Sequence, residues 1–248
     1  MITLYRPSGY DSPRASSFAG RSVDDKPLDV ENGSSFKEID TGRIFRYDKE
    51  NNLWIEQKST SGGTGATEPY IEETYDTEGS LIGAKLYGYS FVRDNMYQNV
   101  TTLKTIEMPD DIYYIGNAAF GRCTNLTLTS LPRGLMSMGN GVFENCTNLT
   151  LTSLPESLMS IGHYAFSSCT NLALTTLPED LTTIGNFAFA DCTSLTSITF
   201  KDTPTSISSF AFNGCTNLTD IKVPWAEGAV SGAPWGAKNA TITYNYTE

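Results

Sequence analysis

Five cysteines recur at one interval: Cys123, Cys146, Cys169, Cys192 and Cys215, each 23 residues after the last. Thiols at a fixed period could pair as disulfides, hold a metal ion, or pack. Metal binding asks for a C-x-x-C pair or for histidines nearby, and the chain has no such pair and one histidine. The odd count leaves one thiol outside any disulfide scheme. Thiols stacked on successive coils would also hold their Cβ vectors parallel, which the disulfide torsion does not accept. One period earlier the same column holds Val100. A position that takes valine needs a small apolar group, so the column reads as buried packing thiols.

The other reactive side chains are weaker candidates. His163 falls in a column with Asn117, Asn140 and Asn186, and the hydroxyls beside it, Ser167 and Ser168, are ordinary loop residues. A general base needs an orienting carboxylate or a nucleophile in reach, so His163 is expected to be an exposed variant of the repeat. The acidic run Glu68, Glu72, Glu73, Asp76 and Glu78 lacks the D-x-D-x-D-G order of a calcium loop and reads as a solvated face. Gly62 to Ala66, "GGTGA", follows no strand and precedes no lysine, unlike a phosphate loop. Asn125, Asn148 and Asn217 stand in Asn-x-Thr triplets only because the repeat puts them there. No catalytic, cofactor or metal site is expected, and the chain is not expected to be an enzyme. A possible binding face remains in Thr127, Thr129, Thr150, Thr152, Thr175 and Thr196, a weakly charged run of hydroxyls. Threonine also simply suits exposed strands, and both readings of these residues stand.

What must position these residues is a coil. At a shift of 23 the chain aligns on itself in further columns: Phe120, Phe143, Phe166, Phe189 and Phe212; Leu126, Leu149, Leu172, Leu195 and Leu218; Ile115, Met138, Ile161, Ile184 and Ile207. Extended backwards, the frame places Tyr97, Leu103 and Val92 on these columns; extended forwards, it places Val230 on the Ile column and Trp235 on the Phe column. "LTSITF" and "LTDIKVP", at Leu195 to Phe200 and Leu218 to Pro224, are short strands that end near proline. "LPEDLTTIGNFAFADC" suits an irregular or single-turn helical return. A strand and an arc cannot bury an apolar edge alone, so such units stack, each adding roughly 4.8 Å to a parallel sheet.

The fold expected is therefore mainly β: a solenoid with a parallel sheet and short irregular or helical return arcs, preceded by a small β-meander domain. Residues 1–107 carry 29 charged side chains against 13 in the longer stretch 108–224, which implies a boundary. The expected divisions are an extended arm over 1–34, a meander anchor over 35–58, a flexible linker over 59–69 ("STSGGTGATEP"), an N-terminal cap with a degenerate first coil over 70–107, the solenoid over 108–224 and a C-terminal cap over 225–248, ending in a strand from Thr241 to Tyr246.

The net charge of −11 and the lack of any long Lys/Arg cluster argue against nucleic-acid binding. No apolar run approaches the ~20 residues of a membrane span, so no membrane insertion is expected, and the first residues have no apolar core of the signal-peptide kind.

"SLPESLMSIGHYAFSSCTNL", Ser153 to Leu172, resembles the unit of the BspA-type bacterial leucine-rich repeats, and the likeness runs over about residues 86–224. It implies a curved parallel-β solenoid used for surface attachment or protein recognition, without catalysis. "VENGSSFKEIDTGRIFRYDKENNLWIEQ", Val30 to Gln57, resembles a head module of tail-region proteins in phages and prophages of gut bacteria. "VPWAEGAVSGAPWGAKNATITYNY", Val223 to Tyr246, is similar to a terminal cap in the same group. Together these resemblances imply an attachment protein of a phage or prophage virion. Its module at residues 35–58 would meet other virion proteins and its solenoid a protein or glycan on a host cell, with homo-oligomeric display possible. The alternatives are a purely structural decoration protein of the virion and a BspA-like surface adhesin. Outside a virion, the chain would be expected in the bacterial cytoplasm.

Overall fold

The structure is a computed structural model that describes residues 69–247 in full and, before them, the backbone of five strands. The chain divides into two compact units, Met1–Tyr89 and Ser90–Glu248.

In the first unit the strands are β1 (Thr3–Pro7), β2 (Ser17–Gly20), β3 (Ser35–Glu38), β4 (Ile44–Asp48), β5 (Leu53–Gln57), β6 (Tyr70–Tyr75) and β7 (Leu81–Tyr87). They are ordered β5-β4-β3-β2-β1-β6-β7. Over the range expected for a meander, β3, β4 and β5 pair antiparallel. Two features depart from the sequence reading. The 1–34 stretch carries β1 and β2, because the edge of β6 offers unpaired backbone groups that β1 takes up antiparallel. The β6–β7 hairpin, which falls in the stretch 70–107 expected as cap and first coil, is grouped with the first unit, where β6 pairs with β1. The linker expected over 59–69, apart from Pro69, lies outside the described residues.

The second unit is the solenoid. One parallel sheet joins β8 (Phe91–Val92), β10 (Tyr114–Ile115), β11 (Ser137–Met138), β12 (Ser160–Ile161), β14 (Thr183–Ile184) and β16 (Ser206–Ile207). Every step between neighbours is 23 residues, as in Ile115↔Met138 and Met138↔Ile161. A second parallel sheet joins β13 (Thr176–Leu177), β15 (Ser197–Phe200), β17 (Asp220–Lys222) and β18 (Thr241–Thr243), and β9 (Thr105–Glu107) precedes it in the chain. The last strand is shorter than the Thr241 to Tyr246 expected.

The return arcs are turns, and no α-helix forms among the described residues. Their backbone bonds alternate in direction. N–H groups of Ala118, Phe120 and Arg122 donate to Asn140, Val142 and Glu144 of the next coil, while those of Ala119, Gly121 and Cys123 close turns onto Gly116, Ala118 and Phe120. Every second amide thus ties a coil to its neighbour, and the arc leaves few backbone donors unmet without forming a helix. In each of the first five arcs two residues adopt left-handed φ, among them Ala118 at 50° and Arg122 at 62°.

The columns form the core. Rings from Tyr97 to Phe212 stack at 5.2–5.8 Å between centroids, one per coil. The leucines and cysteines of their columns are buried throughout. Trp235 is fully buried and Trp225 meets Phe200 edge-on at 5.2 Å, so the last coil is closed by aromatic bulk. The cap is out of step by one residue: Phe212 N–H donates to the carbonyl of Trp235, whereas Phe189 N–H donates to Ala211, the residue before Phe212.

Candidate functional site

All five cysteines are free and buried. Each Sγ donates to a main-chain carbonyl of the preceding coil at 3.0–3.1 Å, as Cys169 to Phe143 and Cys192 to Phe166. Burial pushes the Cys123 and Cys215 thiols up to about 12 and raises the three between them as well. A protonated, enclosed thiol is a poor nucleophile and a poor metal ligand, and each of these groups fills space between coils.

The six candidate threonines are all exposed. The period sets Thr127, Thr150 and Thr196 in one column, interrupted by Ala173, and Thr129, Thr152 and Thr175 in another. They do not form a strand face as expected: none lies within a strand, although Thr175 and Thr196 directly precede β13 and β15. The cause is the spacing of inward leucines. Leading into and through β15 the buried residues Leu195, Ile198 and Phe200 are three and then two apart, which leaves an alternating strand at the end. In the earlier coils the buried leucines, as Leu126, Leu128 and Leu131, are two and then three apart, and no strand runs through the threonines between them. The second threonine column stops at the next coil, where Ile198 turns inward. Thr127 Oγ1 is already engaged, donating to the Lys104 carbonyl at 3.0 Å.

The polar column that holds His163 has a role the sequence did not reveal. Asn117 N–H donates to Asp94 Oδ1, Asn140 N–H to Asn117 Oδ1, His163 N–H to Asn140 Oδ1 and Asn186 N–H to His163 Nδ1, at 2.7–2.9 Å. His163 is exposed, as expected, yet it is a rung of this ladder, with Nδ1 unprotonated to accept. Beside the ladder runs a shallow groove of about 370 Å³, lined by Asn140, Ser160, His163, Thr183, Asn186, Ser206 and Ser208.

Next to the polar column in sequence stand Tyr164, Phe187 and Phe210, which stack outside the core at 5.3 and 5.4 Å between centroids. Tyr164 is 42% exposed and Phe210 52%. The signal for this second ladder was present in "HYAF", "NFAF" and "SFAF", where an aromatic residue precedes the core Ala-Phe in three consecutive units. It was hidden because aromatic residues in so apolar an arc read as core.

The sequence profile described as BspA type leucine-rich repeat region matches residues 90–219 in six copies, just over half of the chain. Among solved structures, a T. pallidum leucine-rich repeat protein is 26% identical over 62% of this chain and 81% of that one, with a TM-score of 0.48. A leucine-rich cell surface protein of Faecalibacterium prausnitzii A2-165 is 21% identical over 80% and 55%, with a TM-score of 0.43. A leucine-rich repeat protein of Bacteroides ovatus is 22% identical over 62% and 51%, with a TM-score of 0.36. No curated protein matches.

Proposed function

The chain belongs to the BspA-type leucine-rich repeat family, and from that footing we propose that it acts by binding, without catalysis, with the solenoid as its recognition surface. The observation that carries this reading is repetition at the surface. The coils that enclose a uniform core also repeat side chains at the surface, threonines on two lines and three stacked aromatic rings on another, so one weak contact is offered several times over.

The setting we favour is the tail of a phage or prophage, with the first unit meeting other virion proteins and several copies displayed together. That setting rests on the resemblance read in the sequence of Val30 to Gln57 and Val223 to Tyr246 to tail-region proteins. A bacterial surface adhesin fits the repeat equally well. An antibody against the chain, applied to induced phage particles and to their host cells under the electron microscope, separates the two: gold on particle tails is expected, and gold confined to the cell envelope would replace the virion with the adhesin. Purified full chain should also adhere to bacterial cells. Failure to adhere to any would leave only a spacing or decorating role.

A further inference from the structure

Three N–H groups are left over along the groove, and the ladder is the reason. Each rung spends the acceptor atom of a side chain: Asn140 Oδ1 on His163 N–H, and His163 Nδ1 on Asn186 N–H. Asn186 Oδ1 takes the Ser208 hydroxyl at 2.9 Å. A backbone amide can only donate, which fixes Asn140 and the imidazole; with the Ser208 hydroxyl donating to Asn186 Oδ1, the groups left as outward donors are Nδ2 of Asn140, Nε2–H of His163 and Nδ2 of Asn186. They recur once per coil, roughly 4.8 Å apart by the sheet spacing. The rest of the groove's side-chain polarity is hydroxyl, and no Asp, Glu, Lys or Arg among the described residues lines it.

We propose that this groove, with the Tyr164–Phe187–Phe210 ladder, binds an uncharged oligosaccharide laid along the coils. The proposal rests on the binding reading above and names a ligand class for it. An anionic ligand would suit a row of donors, but no Lys or Arg occurs between Arg133 and Lys201, whereas Glu144, Glu156, Glu179, Asp180 and Asp191 do. An extended peptide laid along the coils offers same-side carbonyls about 6.6 Å apart, out of step with the donors from the second rung. Sugar hydroxyls rotate to accept from N–H and to donate to Ser and Thr oxygens, and the C–H faces of the rings suit aromatic side chains.

The aromatic column points the same way through its cost. Tyr164 and Phe187 hold φ at 57° and 55°, a left-handed conformation that bulky side chains rarely adopt, where other coils place Asn95, Ala118 and Gly141. Offset rings at this spacing leave parts of their faces and edges to solvent. Strained backbone is here combined with rings that leave the core unfilled, an arrangement that packing does not require.

The test uses the full chain on an array of neutral hexose and N-acetylhexosamine oligosaccharides alongside sialylated and sulfated ones, with calorimetry on the best ligand. Neutral oligosaccharides should be retained. Tyr164→Asn with Phe187→Asn, which eases both left-handed positions, should keep or raise the melting temperature and weaken binding at least about tenfold. If that variant folds poorly, Phe210→Ser at the surface reads the same loss. Preference for charged glycans, or undiminished binding by a folded aromatic variant, overturns the proposal. A chain that adheres to cells but retains no saccharide overturns this groove alone, and one that does neither removes the binding reading as well.

Discussion

Each cysteine of the column satisfies two demands at once: it fills a space that Val100 shows can be apolar, and its thiol caps a carbonyl of the coil before. Because burial raises all five thiols, they stay neutral in the folded chain while the unfolded chain ionises above roughly pH 9. The stability tied to them is fully present below that pH and is lost as pH climbs toward the raised folded values, about 12 for Cys123 and Cys215. With five protons at stake, the fall should approach about 7 kcal/mol per pH unit. Urea denaturation at pH 8, 9, 10 and 10.5 should show this slope, reduced by about a fifth in Cys169→Val; a flat profile would mean that the column tolerates thiolates. The contact from Cys169 Sγ to the Phe143 carbonyl also alters what serine would do there. A hydroxyl without a partner is what burial alone suggests, yet this site supplies an acceptor. Cys169→Ser should therefore cost about 1 kcal/mol, less than the roughly 2 kcal/mol of Cys169→Ala, which loses the bond and leaves a void. His163 has a similar asymmetry: His163→Asn should be neutral, while His163→Leu leaves the Asn186 amide unmet and should cost about 1 kcal/mol by thermal melting.

At the scale of elements, the coils were legible because a packing column repeats its residue type, and Phe, Cys, Leu and Ile each mark an inward position. The strands were legible only where inward residues end two apart, as Ile198 and Phe200 do. Thr127 to Ser130 looked equally strand-like by composition, and only the burial of Leu128 marks the difference. β3 to β5 showed through alternation and turn residues, whereas β1 and β2 did not, since β1's other partner is β6, far along the chain. The polar ladder is not legible in the sequence, because Asn and His look like tolerated variation until their backbone partners are placed. Gly162 is a further element-scale constraint. A Cβ there would fall within the contact distance of the Gly139 backbone, which belongs to the neighbouring coil and cannot rotate away. Gly162→Ala must push neighbouring coils apart or bend an arc, and should lower stability by about 3 kcal/mol in chemical denaturation. A neutral result would show that the arcs slide freely past one another.

At the scale of the molecule, the separation into Met1–Tyr89 and Ser90–Glu248 differs from a cut in the 59–69 linker by one hairpin, and that hairpin decides the experiment. The solenoid holds its own core from the first coil, where Tyr97 stacks on Phe120, to the cap around Trp235. Repeat stacks draw stability from neighbouring coils, so a fragment of residues 90–248 should fold and melt cooperatively. The β6–β7 hairpin has a different dependence. Its outer strand β6 pairs with β1 through Leu4↔Glu73 to Pro7↔Tyr70, and without β1 the outward backbone groups of β6 lose their partners. A fragment of residues 70–248 keeps the hairpin but removes β1. Hydrogen exchange read by mass spectrometry should therefore show amides of Tyr70–Tyr75 protected in the full chain and fast in the 70–248 fragment, while those of the coils exchange slowly in both. Retained protection of β6 without β1 would return the hairpin to the solenoid as its cap and move the boundary back toward the linker.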